Sequence, residues 1–257
     1  MERDGGPAAE RVLILTPIKD AIRHLDTYFG LLDRLTYPRD RLSLGLLESD
    51  SDDGTFEALL QRRGQLNRPF RRFTLHKRDF GFRMPANQPR WANHLQVQRR
   101  STLAKSRNHL LFRALEDEEW VLWLDVDVID YPPDIIERLL ATGKRIVHPN
   151  CVRDYGGSSF DLNAWRKRGK LHLHDLRKEG DLVPLDSVGG TMLLVRADLH
   201  RDGLIFPPFP YGLRNKKIRR FNHWSGEIET EGFGIMASDM GAQCWGMPNL
   251  EIRHHRD

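Results

Sequence analysis

The sequence predicts an α/β protein in which a Rossmann-like, mostly parallel central sheet is flanked by helices. Short apolar runs of the buried-strand kind alternate along the chain with segments whose apolar residues recur at helical spacing, the pattern of parallel strands joined by helices. Two of the runs end in clusters of acidic residues, and in such sheets ligands bind outside the carboxyl ends of the strands. With 257 residues, 39% of them hydrophobic and 30% charged, the chain can bury a substantial core and is too apolar for disorder as its main state. Residues 1–10 read as a disordered N-terminal tail and 11–257 as a single domain.

Arg11 to Thr16 is the first strand, followed by Pro17 and a helical stripe of Leu25, Phe29, Leu32 and Leu35. Leu42 to Leu47 is the second. It ends in Glu48-Ser49-Asp50-Ser51-Asp52-Asp53-Gly54-Thr55, after which Phe56, Leu59 and Leu60 resume helical spacing. Phe73 to His76 is a short third strand, and an irregular basic stretch from Lys77 to Gln98 precedes a helix from about Ser101 to Leu115. Trp120 to Leu124 is a buried strand that terminates in Asp125-Val126-Asp127, with Pro132-Pro133 starting the next helix, where the missing N–H is not needed. Ile146 to His148 and Met192 to Val195 are further strands, separated by an insertion from Pro149 to Asp186. Glu229 to Met240 is a helix and Gln243 to Met247 the last strand.

Composition excludes several classes. The longest apolar runs are about five residues, far below the roughly 20 that span a bilayer, so no integral membrane segment is expected. Met1 to Gly6 carries two acids and no apolar stretch, unlike a secretory signal, and the expected location is cytoplasmic. Cys151 and Cys244 lie far apart without metal-type spacing, so neither a disulfide framework nor a zinc knuckle is expected. Lys plus Arg exceed Asp plus Glu by 40 to 36, an excess that invites a nucleic-acid partner, with Arg214-Asn215-Lys216-Lys217-Ile218-Arg219-Arg220 as its sharpest run. A solvated loop explains that run better, and no nucleic acid is expected.

The chemistry-bearing candidates cluster at strand ends. Asp125-Val126-Asp127 has the form of a DxD metal site, in which hard carboxylate oxygens hold a divalent cation against a diphosphate. With 23 aspartates in the chain, chance alone gives about two DxD tripeptides. Two occur, the other being Asp50-Ser51-Asp52, so the tripeptide by itself does not separate a metal site from an acidic helix cap. Asp50 to Thr55 is placed either to contact a nucleoside or to cap a helix. Lys105, Arg107 and Asn108 lie on the helix before the DxD strand, where Arg107 suits a phosphate or a carboxylate and a solvated basic face is the plain alternative. Gly189 and Gly190 precede a strand and allow close approach of backbone to a ligand, or simply a tight turn. Glu229 and Glu231 open a helix, where its dipole favours acids without any catalytic duty.

Taken in order, a set of segments covers nearly the whole chain after about Arg11: Leu15-Thr16-Pro17-Ile18-Lys19-Asp20, Leu35-Thr36-Tyr37-Pro38, Ser49 to Thr55, and Lys77 to Phe82. The set continues with Gln98-Arg99-Arg100, Ala104 to Asn108, Trp120 to Pro133, Pro149-Asn150-Cys151, and Phe160-Asp161-Leu162-Asn163 with Trp165. It closes with Val188 to Thr191, Phe206 to Phe209, Glu229 to Phe233, and Gly246-Met247-Pro248-Asn249 with His254. This set resembles the fungal mannan-polymerase type of α-mannosyltransferases, glycosyltransferase family 62, whose domain is of the GT-A kind.

The resemblance implies a glycosyltransferase with GDP-mannose as donor, Mn2+ or Mg2+ as cofactor, a carbohydrate or glycoconjugate acceptor, and retention at the transferred sugar. It places Asp125, Asp127 and His254 on the metal, and Thr16, Pro17, Asp20 and Asp50 around the nucleoside. Lys105, Arg107, Asn108, Gly189 and Gly190 would face donor phosphate or sugar, with Glu229, Glu231 and Asp127 at the reacting centre. A UDP-sugar donor or a non-catalytic scaffold homologue are the other implied readings. The family's membrane anchor and stem are not expected from residues 1–10, which precede the first strand and carry no long apolar run. Segments 83–95 and 166–183, which match no motif, are either acceptor-groove elements or surface insertions.

Overall fold

β1 (Val12–Ile18) lies between β2 (Leu42–Glu48) and β4 (Trp120–Leu124), parallel to both, and β3 (Arg72–Lys77) continues the parallel set at one edge. Beyond β4 come β10 (Met192–Arg196), running antiparallel, then β6 (Ile146–Val152), β11 (Cys244–His254) and β5 (Val128–Asp130). β9 (Val183–Leu185) pairs with the start of β11. The expected mostly parallel sheet is present. β1, β2, β3, β4, β6 and β11 share one direction, and β5, β9 and β10 run against it. The structure, a computed structural model, describes residues 10–66, 70–83, 93–212 and 226–255. The expected N-terminal tail up to residue 9, most of segment 83–95 and the Arg214 to Arg220 run lie outside the described residues.

The unbroken apolar runs follow from helices on both faces of the sheet, which bury alternate side chains on opposite sides. On one side, Val12, Ile14 and Ile18 of β1, Trp120, Leu122 and Leu124 of β4 and Met192 and Leu194 of β10 form one core. They pack with α1 (Leu25–Asp33), α2 (Thr55–Leu66) and α4 (Ile135–Ala141). On the other side, Leu13, Leu15, Val121, Trp123, Leu193 and Val195 form a second core. Their partners there are α3 (Asn93–Ala114), α5 (Ala197–Arg201) and α6 (Glu229–Asp239). α3 comes so close to the sheet that a Cβ on Gly45 of β2 would sit 2.9 Å from the Ala114 Cβ and 2.7 Å from Leu15 Cδ2.

Several boundaries differ from the sequence expectation, each for a physical reason. β1 runs through Pro17 to Ile18. Ile18 accepts a hydrogen bond from the Ser49 amide, so Pro17 faces the β4 side, where pairing has already stopped at Leu15, and its missing N–H costs no ladder bond. α3 begins at Asn93, eight residues before the expected Ser101. β11 does not stop before Pro248. Its register with β6 shifts between Met247 and Glu251, and the strand then continues to His254, the bulge absorbing the proline. The insertion after β6 holds a β7–β8 hairpin (Trp165–Arg166 and Leu171–His172), a 3₁₀ segment Leu173–Glu179, and β9.

At the amino ends of the strands, arginines are consumed by structure. Arg11 pairs with Glu119 at 2.5 Å and Asp117 at 2.6 Å, and Arg72 pairs at 2.7 Å with the fully buried Glu118.

His200 on α5 supplies a stability test. Its Nδ1 lies 2.7 Å from the Leu204 carbonyl oxygen, and the Trp123 indole N–H donates to its Nε2 at 3.3 Å, so the buried ring is satisfied in its neutral form. Burial lowers its pKa to about 4. The unfolded chain therefore binds a proton near pH 6.5 that the folded chain refuses, and this contribution is intact above that pH and lost as pH falls from 6.5 towards 4. The loss is on the order of 3 kcal/mol. His200→Gln is expected to show a shallower decline in unfolding free energy between pH 7 and 4.5 than wild type; parallel denaturant-derived curves would reject this account.

Candidate functional site

Asp20, Asp50 and Glu229 adopt left-handed backbone conformations, with φ of 47°, 56° and 58°. Such conformations cost side-chain-bearing residues energy and concentrate at functional sites. The first two shape the loops after β1 and β2. The Asp20 amide donates to Ser51 Oγ at 2.8 Å, and Asp20 Oδ1 accepts from the Asp52 amide at 3.0 Å. Asp53 Oδ2 accepts from Ile22 N and its Oδ1 from Thr55 N, both at 3.0 Å, which caps α2 and ties the two loops together. Lys19 Nζ donates to the Asp50 carbonyl. The Asp50 carboxylate accepts from the Phe80 and Gly81 amides, each at 2.9 Å, and so holds the loop after β3 over the same strand ends. Thr16 shares a 2.7 Å hydrogen bond with the buried Tyr28 hydroxyl, and Pro17 is half-buried beside it.

Asp125 and Asp127 follow β4, where the Asp125 amide donates to Thr191 O at 2.9 Å. β11 delivers His254 to this point, although the residue is only three from the end of the sequence. Its Nε2 lies 3.1 Å from Asp127 Oδ1, its Nδ1 lies 2.8 Å from the His255 carbonyl oxygen, and its ring stacks on Phe160 with centroids 3.9 Å apart. With Nδ1 held against that carbonyl, Nε2 is the nitrogen turned to Asp127, to which it donates when protonated. A cation bound here would take Nε2 in place of that proton, with the carbonyl orienting the ring as outer partners of metal-binding histidines do. Burial works against protonation of His254, but Asp127 outweighs it and the pKa is raised. Burial pushes the Asp125 carboxyl up to about 6, with Asp127 and Asp161 adding to the rise and Arg107 opposing it.

Behind Asp125 lies a ladder of ion pairs. Arg107 of α3, 1% exposed, pairs with Glu229 through Nη1, and its Nη2 donates to Asp125 Oδ1 at 3.1 Å and to Gly190 O at 3.3 Å. Its guanidinium lies over the Phe206 ring, 5.0 Å from the centroid. A Cβ on Gly190 would collide with that guanidinium, so a side chain there would have to displace Arg107 from its partners. Seven residues earlier on the same helix face, Arg100 pairs with Glu231 Oε2 at 2.8 Å and lies 3.7 Å from Glu229 Oε2. Glu231 Oε1 accepts from the Trp165 indole at 3.0 Å.

Of the residues singled out in the sequence, Arg107, Asp125, Gly190 and Glu229 are in direct contact, Asp127 pairs with His254, and Glu231 joins through Arg100. Gly189 packs against Asp161 and His148. Asn108 exchanges hydrogen bonds of 2.7 and 2.9 Å with the Phe206 backbone and so positions the ring under Arg107. Lys105 does not join the cluster; two positions from Arg107 on the helix, about 200° around it, it is exposed. Sequence reasoning gave no role to Arg100, Trp165, His148, Phe160 or Asp161. The seven-residue spacing of Arg100 and Arg107 was the one local clue to the first.

The five acids Asp125, Asp127, Asp161, Glu229 and Glu231 outnumber Arg100 and Arg107, and still exceed the cations by one when His254 beside Asp127 and His148 beside Asp161 are counted as charged, so the strand-end cluster has a surplus of acids. Among the described residues no group of three or more His, Cys, Asp or Glu side chains is gathered as a ready ligand cage. Mg2+-type ions are instead commonly held by one or two carboxylates together with substrate phosphates, and the Asp127–His254 pair beside Asp125 fits that kind of site with an imidazole added, a donor set that suits a transition ion.

A family model described as Anp1 matches residues 2–181 and 170–210. The chain belongs to the Anp1 family. Its relatives in this family include the mannan polymerase II complex anp1 subunit of Schizosaccharomyces pombe, 31% identical over 95% of this chain and 64% of that protein. Another is the mannan polymerase complex subunit MNN9 of Candida albicans, 29% identical over 96% of this chain and 75% of that protein. The chain therefore spans just under two-thirds of the length of the first. Among solved structures, the mannosyltransferase PcManGT of Pyrobaculum calidifontis, in complex with GDP-Man and Mn2+, aligns with a TM-score of 0.59 at 16% identity, over 96% of this chain and 57% of its own. Residues 1–349 of S. aureus TarS in complex with UDP-GlcNAc align with a TM-score of 0.56 at 13% identity, over 96% and 59%. The Anp1-family chain thus shares the fold of GT-A glycosyltransferases. Among its described residues no helix is long and apolar enough to cross a membrane.

Proposed function

We propose that this Anp1-family chain is a metal-dependent glycosyltransferase that moves mannose from GDP-mannose, with retention, to a carbohydrate or glycoconjugate acceptor. One observation carries the reading: the acidic surplus at the carboxyl end of β4. A nucleoside diphosphate brought to those carboxylates would be repelled unless a cation lay between them, so a site that is both acidic and set at the strand ends of this fold fits a cation–diphosphate pair. The family supports the choice of mannose, since the relatives are named mannan polymerase subunits. The solved mannosyltransferase with the same fold carries GDP-Man and Mn2+.

Asp125, Asp127 and His254 would hold Mn2+ or Mg2+. When bound, such an ion neutralises the charge that develops on the departing diphosphate. The chain's own groups do the rest by positioning. Arg107, backed by Glu229 and resting on Phe206, fixes Asp125 through Oδ1. Glu229 and Glu231 engage arginines and the Trp165 indole and act as positioning groups. Gly190 brings a backbone without a side chain up to the guanidinium. The crosslinked loops at Asp20, Asp50 and Asp53 would flank the nucleoside, and the β7–β8 insertion, next to Glu231 through Trp165, would face the acceptor.

A thermal-melting panel of GDP, GDP-mannose, UDP and UDP-sugars, with and without Mn2+, tests this. A ligand at 100 times its Kd adds about 2.7 kcal/mol, roughly 5 to 10 °C for a protein of this size. That rise is expected for GDP or GDP-mannose only when Mn2+ is present. Stabilisation by UDP alone among the nucleotides overturns the donor assignment, and no metal-dependent rise with any nucleotide overturns the transferase reading.

A further inference from the structure

Phe160 and Asp161 lie in the insertion between β6 and β7, outside the sheet, and touch both halves of the DxD site. The segment is pinned to β6: Phe160 N donates to Cys151 O at 2.7 Å, and Ser159 Oγ donates to Asn150 Oδ1 at 2.7 Å. From there the two side chains diverge. The Phe160 ring lies nearly parallel to the His254 imidazole, 22° between planes, with the Arg153 guanidinium 5.2 Å from the centroid of the Phe160 ring. The ring therefore forms a wall that fixes the plane in which His254 faces Asp127.

Asp161 reaches the other half. Its Oδ2 accepts from the Gly190 amide at 2.9 Å, the Thr191 amide at 3.3 Å and the Thr191 hydroxyl at 3.2 Å, while Oδ1 accepts from the Asn163 amide at 3.1 Å. His148 Nε2 lies 3.8 Å from Oδ2. Burial alone would raise this carboxyl's pKa, but His148 and the converging amides hold it well below the usual range. The two residues it grips are those that hold Asp125. Thr191 O accepts from the Asp125 amide at 2.9 Å, and Gly190 O accepts from the Arg107 nitrogen that also donates to Asp125 Oδ1. With its side chain 9% exposed and its oxygens committed to four protein donors, Asp161 acts through these neighbours rather than on substrate.

We propose that Phe160 and Asp161 form one clip that sets His254 and Asp125 relative to each other, so that affinity for a divalent cation with a nucleoside diphosphate depends on two residues that touch neither. The inference rests on reading the site as a cation–diphosphate site. Outer residues that orient metal ligands are worth roughly 10- to 100-fold in metal affinity, and that is the effect assigned to each.

The test measures Mn2+ binding in the presence of GDP, by the loss of the free-ion paramagnetic resonance signal, alongside the melting temperature. Phe160→Leu keeps an apolar side chain but removes the flat wall, Phe160→Tyr restores it, and Asp161→Asn turns an amide N–H towards donors that need an acceptor. Phe160→Leu is expected to melt within a few degrees of wild type and bind Mn2+ about tenfold more weakly, with Phe160→Tyr within twofold of wild type. Asp161→Asn is expected to weaken binding at least tenfold; if it does not fold, Phe160→Leu and Phe160→Tyr decide. Wild-type affinity in folded Phe160→Leu or Asp161→Asn overturns the clip alone, and equal weakening in Phe160→Leu and Phe160→Tyr reduces Phe160 to packing and overturns it too. A wild-type protein that takes up no Mn2+ with either GDP or UDP overturns the transferase reading and the clip together.

Discussion

Arg107→Ala is expected to melt about 10 °C below wild type and to lose metal-dependent nucleotide binding at the same time. Among the described residues Arg107 is the one cation that touches both Asp125 and Glu229. Its removal leaves the Glu229 side chain, 4% exposed, with Arg100 at 3.7 Å and the Thr230 hydroxyl at 2.8 Å as its remaining partners. Breaking a buried pair by deleting one partner costs about 3–5 kcal/mol, because the other charge stays buried, and about 2–4 °C accompanies each kcal/mol in a protein of this size. Arg107→Lys keeps the charge but lacks the planar fork that reaches Glu229, Asp125 and Gly190 O together, so it should recover only part of the loss. Differential scanning calorimetry of both variants checks this, and a melting temperature for Arg107→Ala within about 2 °C of wild type would remove the ladder from the account of stability.

Asp125→Ala is expected to do the reverse, leaving stability intact while cutting turnover about a thousandfold. The folded chain holds the Asp125 carboxyl at about 6, above its ordinary 3.8, mainly through burial and then through Asp127 and Asp161. A carboxyl whose pKa rises on folding favours the folded state below its unfolded pKa, and that contribution is lost as pH climbs from about 4 through 6. At pH 7.5 its deletion therefore carries no electrostatic penalty; with the side chain 27% exposed, any gain is small. Arg107 retains Glu229 and the Gly190 carbonyl. Electrostatic stabilisation of a leaving diphosphate is worth several kcal/mol, and each 1.36 kcal/mol is tenfold in rate, so Mn2+-dependent hydrolysis or transfer of the donor sugar should fall about a thousandfold. Near-wild-type turnover in folded Asp125→Ala would take Asp125 out of the reaction.

The central strands were legible because they are buried on both faces. Val12 to Leu15, Trp120 to Leu124 and Met192 to Val195 are continuous apolar runs for that reason, and they appear where the sequence pattern puts them. The position of the DxD at the end of β4 was legible for the same reason. The amino-terminal third of α3 was not. Asn93 to Gln98 carries few apolar residues, so periodicity had little to register there. The end of β11 was hidden by Pro248, an ordinary strand breaker that here sits in a bulge. That bulge decides the fate of His254, which reads as a flexible near-terminal histidine in isolation and is 5% exposed against Asp127 in the fold.

The sequence by itself determined the layered α/β architecture, the family and the acids at the strand ends, because local periodicity, family motifs and strand-terminal polarity are written in neighbouring residues. Only the tertiary structure decided what each charge faces. The modest basic excess suggested cations ready for phosphate, yet Arg107 is engaged by Glu229 and Asp125, Arg100 by Glu231, and Arg11 and Arg72 by the acids at the amino ends of the strands. Those partners stand 46 to 131 positions apart in the chain, or 18 for Arg107 and Asp125, and Coulomb interactions depend on separation in space rather than along the sequence. The fold thereby turns a slightly basic chain into one with an acidic strand-end cluster, and that inversion is why the candidate site fits a cation.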